Sequence, residues 1–120
     1  MSRIILIVDD DFAIRKVLRM IFQREGYRTE EAGDGAEALQ KVQKNRYDLI
    51  TMDIDMGAMD GVDTLAVLRN ETQTPVVVIS AHLTEDIRLD LQNRQVHHLL
   101  PKPFSRSDVL ALVSRALGEV

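Results

Sequence analysis

Near its start the chain carries five apolar residues without a break, Ile4-Ile5-Leu6-Ile7-Val8. A short run rich in β-branched side chains reads as a parallel strand buried on both faces. The run ends in charge at Asp9-Asp10-Asp11. Asp11 suits an N-cap, and Ile14, Val17, Leu18, Ile21 and Phe22 then recur at the i, i+3, i+4, i+7, i+8 spacing of an amphipathic helix, which Gly26 stops.

The alternation continues to the end of the chain. Residues 27–32 read as a short polar strand, and Gly33-Asp34-Gly35 turns into a helix containing Ala38, Leu39 and Val42. Residues 47–52 form the next expected strand, again ending in a carboxylate, Asp53. Val62, Leu65 and Leu68 mark a third helix, and Val76-Val77-Val78-Ile79, launched by Pro75, a fourth strand. Residues 84–93 carry a weaker helical pattern, Leu99-Leu100 a minimal fifth strand, and Val109, Leu112, Val113 and Ala116 a closing helix. Each parallel crossover needs a helix, so the order βαβαβαβαβα predicts an α/β fold: a five-stranded parallel sheet with helices on both faces.

Composition narrows the classes of function. With 120 residues, the chain is expected to be one domain spanning 1–120. A net charge of −4 offers no basic stripe for nucleic-acid phosphates, so output is expected to pass through a protein rather than through direct nucleic-acid contact. The absence of cysteine excludes disulfides, thiol catalysis and cysteine-based zinc sites. No apolar run approaches a membrane span, and residues 1–3 lead into the first strand without a signal-peptide pattern, so a cytoplasmic location with no membrane contact is expected.

In doubly wound sheets, ligands bind outside the carboxyl ends of the strands. At those ends the pattern puts Asp9 and Asp10 (first strand), Asp53 (third), Ser80 (fourth) and Lys102 (fifth). Taken singly, each has a commonplace role as a cap, a loop carboxylate or a solvated lysine. Converging, the carboxylates would repel one another unless a cation offset that cost. Mg²⁺ takes oxygen ligands and keeps several waters, which suits Asp10 and Asp53 with Asp9 supporting through water. A carboxylate is also a competent nucleophile toward phosphorus, which casts Asp53 as a phosphoryl acceptor. Lys102 would neutralise the phosphoryl oxygens, and the Ser80 hydroxyl would donate to them.

Several segments carry a more specific resemblance: Ile7-Val8-Asp9-Asp10-Asp11, Ala32 to Leu39, Met52-Asp53-Ile54-Asp55-Met56, Met59-Asp60-Gly61, Ser80-Ala81 and Lys102-Pro103-Phe104. In order and spacing they resemble the receiver domain of response regulators, the CheY-like superfamily of two-component signalling, over essentially the whole chain. The resemblance implies a flavodoxin-like (βα)5 fold and a signalling phosphoacceptor rather than an enzyme. It implies transfer from a histidine kinase or phosphotransfer protein to Asp53, with Mg²⁺ also bound by the Asp55 backbone carbonyl, and a cis bond before Pro103. Output to a partner protein or domain is expected through the face formed by the fourth helix, fifth strand and fifth helix, with a phosphorylation-dependent homodimer as one form of it. The Ser80–Glu85 loop and the fourth helix are expected to move and to present Ile87, Leu91 and the Leu99 region.

The chain departs from the family pattern at three places. Gly57 replaces the usual proline after the acceptor, Gln95-Val96 the usual Gly-Ala, and Leu99 the usual tyrosine or phenylalanine. Three other readings compete. Asp53-Ile54-Asp55 resembles the DxD nucleophile motif of haloacid-dehalogenase-type phosphatases, but the acidic pair comes first here and Met56 stands where a threonine is expected. Gly33-x-Gly35-x-x-Ala38 fits a dinucleotide fingerprint, although Asp34 and Glu37 would meet the pyrophosphate with negative charge. A non-phosphorylated pseudo-receiver is opposed by the retention of all five site residues. His82, His97 and His98 lack ligand spacing for a metal; the resemblance sets His82 beside the path of hydrolytic water.

Overall fold

Ten elements alternate along the computed structural model, which describes residues 2–55 and 61–119. They are β1 (Ile4–Val8), α1 (Phe12–Arg24), β2 (Arg28–Ala32), α2 (Gly35–Lys44), β3 (Leu49–Met52), α3 (Gly61–Glu71), β4 (Val76–Ser80), α4 (Glu85–Asn93), β5 (His98–Pro101) and α5 (Arg106–Ala116). The strands form one parallel sheet in the order β2-β1-β3-β4-β5. Strand order reverses between β1 and β3, where a doubly wound sheet opens a crevice. Gly57, Met59 and Asp60 lie outside the described residues.

Period-two alternation explains why the central strands lack a polar face. Leu6, Val8, Ile50, Met52, Val76 and Val78 pack with Ala38, Val42, Leu65, Leu68 and Leu91 from α2, α3 and α4. Ile5, Ile7, Leu49, Val77 and Ile79 pack on the other side with Leu18 and Phe22 of α1 and Val109 and Val113 of α5. Both faces are therefore covered, as a parallel sheet requires.

Helix ends account for where strands begin. Gly26 has φ +90°, and the amides of Gly26 and Tyr27 return to the carbonyls of Gln23 and Phe22, closing α1 in a Schellman motif. Tyr27 is thereby taken out of β2, which starts one residue later than the polar run suggests. Its ring meets Phe22 edge to face at 6.2 Å, linking the helix end to the core. Val17 is 44% exposed; it lies at the margin of the apolar stripe rather than on it.

The same motif ends α5, with Gly118 at φ +73°, and α4, with Gln95 at φ +64°. Val96 returns its amide to the Leu91 carbonyl, and both side chains are fully buried, giving the hydrophobic contact that accompanies the motif. A left-handed residue is needed at 95, which is the physical reason for glycine in the family pattern. Gln95→Gly should therefore raise stability by about 1 kcal/mol, read as a higher urea midpoint at unchanged slope. A lower midpoint would mean that the glutamine side chain makes up for its backbone strain.

Candidate functional site

Backbone hydrogen bonds carry the ladder one residue past the strands and line up the groups at their carboxyl ends. The Asp9 amide donates to the Ala32 carbonyl at 3.1 Å, Asp53 to Val8 at 3.0 Å, and Lys102 to Ser80 at 2.9 Å. Val8 pairs with Met52 in register, so Asp9 and Asp53 follow side by side. Asp9, Asp53 and Ser80 are all buried, whereas Asp10 is exposed. All five residues singled out by strand-end logic meet at one end of the sheet.

Lys102 bridges the two buried acids. Its ammonium donates to Asp53 Oδ2 at 2.8 Å and to Asp9 Oδ2 at 2.9 Å, with the lysine side chain only 16% exposed. Asp53 Oδ1 accepts the Asp55 amide at 2.9 Å, and Asp9 Oδ1 accepts the Asp11 amide at 2.9 Å. Both carboxylates are thus fixed at both oxygens. Burial pushes the Asp9 carboxyl above its usual range, against the opposing pull of Lys102 and the Asp11 amide. Burial alone would lower the Lys102 ammonium, but its hydrogen bonds to Asp53 and Asp9 together raise it, so it stays charged.

Oxygens of Asp9, Asp10 and Asp53 lie within 4.8 Å of one another, a donor set suited to a hard divalent cation. One ammonium among three carboxylates leaves net negative charge that such a cation would offset. Asp55 contributes no carboxylate to this group; its Oδ2 turns to His82 Nδ1 at 2.5 Å, joining the loops that follow β3 and β4. The Ser80 oxygen accepts the His82 amide at 3.2 Å, which occupies an acceptor position and leaves the hydroxyl proton as a donor. The bond between Lys102 and Pro103 is cis.

The turn after β2 disposes of the dinucleotide reading. Asp34 caps α2 by accepting the Glu37 amide at 2.8 Å, and Glu37 reaches back to the Gly33 amide at 2.6 Å. Two carboxylates occupy the amides that a pyrophosphate would need, in a variant of the capping box. Pattern reasoning missed Arg15, whose Nη1 donates to the Asp9 carbonyl at 2.6 Å. Its signal was faint: Arg15 and Arg19, four apart on α1, face Glu31 on β2.

Comparison with known proteins decides the family. The family model described as response regulator receiver domain matches residues 5–114. The chain belongs to the response regulator receiver domain family. It is 35% identical over 117 residues to the transcriptional regulatory protein SrrA of Staphylococcus aureus, covering 98% of this chain and 48% of that protein. It therefore spans about half the length of the curated relatives it matches. Among solved structures it resembles the chemotaxis response regulator CheY4 of Vibrio cholerae at TM-score 0.88 and 30% identity, covering 97% of this chain and 99% of that one. A two-component response regulator from Clostridium difficile aligns at TM-score 0.92 and 27% identity, covering 98% and 97%. This receiver is thus a signal-transduction domain of the two-component type with a flavodoxin-like sheet. Among the described residues, no helix is long and apolar enough to cross a membrane.

Proposed function

We propose that this receiver accepts a phosphoryl group on Asp53 from the phosphohistidine of a histidine kinase or phosphotransfer protein, in a Mg²⁺-dependent reaction, and passes the change to an output partner. The observation that carries the reading is the Asp53 carboxylate, buried beside Asp9 and Asp10 and held by the Lys102 ammonium and the Asp55 amide. A carboxylate oxygen attacks phosphorus, the new O–P bond forms as the bond to the donor imidazole breaks, and the imidazole leaves with the electron pair. Asp10, Asp53 and the Asp55 carbonyl, supported by Asp9, would hold Mg²⁺, which would supply positive charge to offset that of the phosphoryl oxygens.

Residues of the chain do the remaining work. The Asp55 amide and Lys102 orient the nucleophile before attack, so little reorganisation accompanies the reaction. Lys102 then has a phosphoryl oxygen to neutralise in place of a free carboxylate, and Ser80 donates its proton to another. Movement of Ser80 pulls on the loop that ends at Thr84, the N-cap of α4. Leu91 is the one fully buried residue of α4, so this helix is held by a small apolar contact and is suited to shift. Output then involves α4, β5 and α5. Leu89 is the exposed apolar residue of that helix, whereas Leu91 faces the core and emerges only if α4 is displaced.

Intact mass spectrometry with acetyl phosphate tests the reading. One phosphoryl adduct should form with Mg²⁺, map to Asp53, and disappear when the metal is chelated. An adduct that ignores chelation, or that maps elsewhere, would overturn it. Steady turnover of a small phosphate ester would instead favour the phosphatase alternative.

A further inference from the structure

Asp10 contributes an oxygen to the acidic group, yet among the described residues no hydrogen bond or ion pair holds its side chain. Its direction is therefore set by its own backbone, above all by the peptide linking Asp9 to Asp10. The Asp9 amide is fixed on Ala32. The Asp9 carbonyl, which forms the other end of the turn into Asp10, receives no backbone amide among the described residues and is held at 2.6 Å by Arg15 Nη1.

The guanidinium is itself anchored. Its Nε donates to Glu31 Oε1 at 3.2 Å, while Arg19 Nη1 holds Glu31 Oε2 at 2.8 Å. Arg15 and Glu31 are both largely covered, with side chains 16% and 23% exposed, and the Phe12 ring lies 5.7 Å from the guanidinium carbon. The planar fork is thus clamped between a carboxylate, a ring and a carbonyl, which a flexible ammonium would not reproduce. The ion pair to Glu31 suffices to pin α1 on β2. The short bond to the Asp9 carbonyl is additional to that role.

We propose that Arg15 is a positioning residue for the cation site: by holding the Asp9 carbonyl it sets the Asp9–Asp10 peptide and aims the Asp10 carboxylate toward Asp53. The inference rests on the cation reading given above. Charge and positioning make opposite demands here. As a positive charge near the acids, Arg15 opposes a divalent cation, so removing it by charge alone would tighten Mg²⁺ binding. As a positioning residue, its removal weakens binding, much as loss of an outer-shell partner does at other metal sites.

Amide chemical shifts followed through a Mg²⁺ titration separate these outcomes. Arg15→Met should raise the Mg²⁺ dissociation constant about tenfold and move the Asp9 and Asp10 amides even in metal-free protein. Arg19→Met loses a contact to the same Glu31 without touching Asp9, and should leave Mg²⁺ affinity unchanged. Binding by Arg15→Met as tight as wild type or tighter would overturn the proposal, as would equal weakening in Arg19→Met. If Arg15→Met does not fold, Glu31→Gln loosens the same guanidinium, and an unchanged Mg²⁺ affinity there overturns it equally. A wild-type protein whose site amides ignore Mg²⁺ would instead reject the cation reading itself.

Discussion

An Asp53→Asn protein should take up no phosphoryl group from acetyl phosphate, and in metal-free buffer it should be about 1 kcal/mol more stable than wild type. The two effects have one origin. Asparagine lacks the charged oxygen needed for attack; its one amide oxygen keeps the Lys102 ammonium, while the amide of exposed Asp55 loses its acceptor and turns to water, a smaller cost than the repulsion relieved. It also leaves two carboxylates in the acidic group, Asp9 and Asp10, rather than three, relieving repulsion there. Added Mg²⁺ should then stabilise the variant less than wild type, because a ligand stabilises only in proportion to its binding. Urea midpoints with and without Mg²⁺, beside intact masses, provide the check. A residual adduct would sink the acceptor assignment, and a loss of metal-free stability would show that Asp53 attracts Lys102 more than it repels Asp9 and Asp10.

Lys102→Ala should lose about 3 kcal/mol at neutral pH, since it strands two buried carboxylates that share one ammonium at 2.8 and 2.9 Å. The deficit should shrink as pH falls. Burial already raises the Asp9 carboxyl, and removing Lys102 removes an influence that lowers it. A carboxyl whose folded-state value lies above its unfolded value of about 3.9 gives stability that is fully present below the unfolded value and lost as pH rises through the folded one. Denaturation between pH 4 and 8, as an order-of-magnitude window around that range, should show the variant approaching wild type at the acidic end. A deficit independent of pH would mean that packing of the lysine stem, not charge, dominates. The variant should still accept phosphate, slowly, with smaller phosphorylation-induced changes in amide exchange over β4 and β5.

Much of this molecule is legible in its sequence because β1, β3 and β4 are apolar on both faces, a pattern that fits few arrangements other than a covered parallel sheet. Once the strand order is known, Asp9, Asp10, Asp53, Ser80 and Lys102 must fall at one end of it. What escaped lies in interactions without periodicity. The Arg15 contact is to a backbone carbonyl, which no side-chain pattern announces. The late start of β2 follows from a Tyr27 amide already spent on closing α1. That Leu91 is buried before any displacement of α4 follows from the helix end, where the Val96 amide returns to the Leu91 carbonyl, a backbone bond that the side-chain pattern does not announce. The strain at Gln95 was visible only as a missing glycine until the helix end gave it a dihedral angle.

The order of the sheet also bears on self-association. Its two outer strands, β2 and β5, present unpaired backbone groups, which in many proteins invite addition of a further strand and lead to aggregation. Here β2 consists of Arg28, Thr29, Glu30, Glu31 and Ala32, with Glu30 and Glu31 engaged by Tyr47 and by Arg15 and Arg19. At the other side β5 has four residues and ends in Pro101, which has no amide to offer. Both margins resist growth of the sheet by edge pairing, a form of negative selection against aggregation that leaves the parallel core of each copy intact.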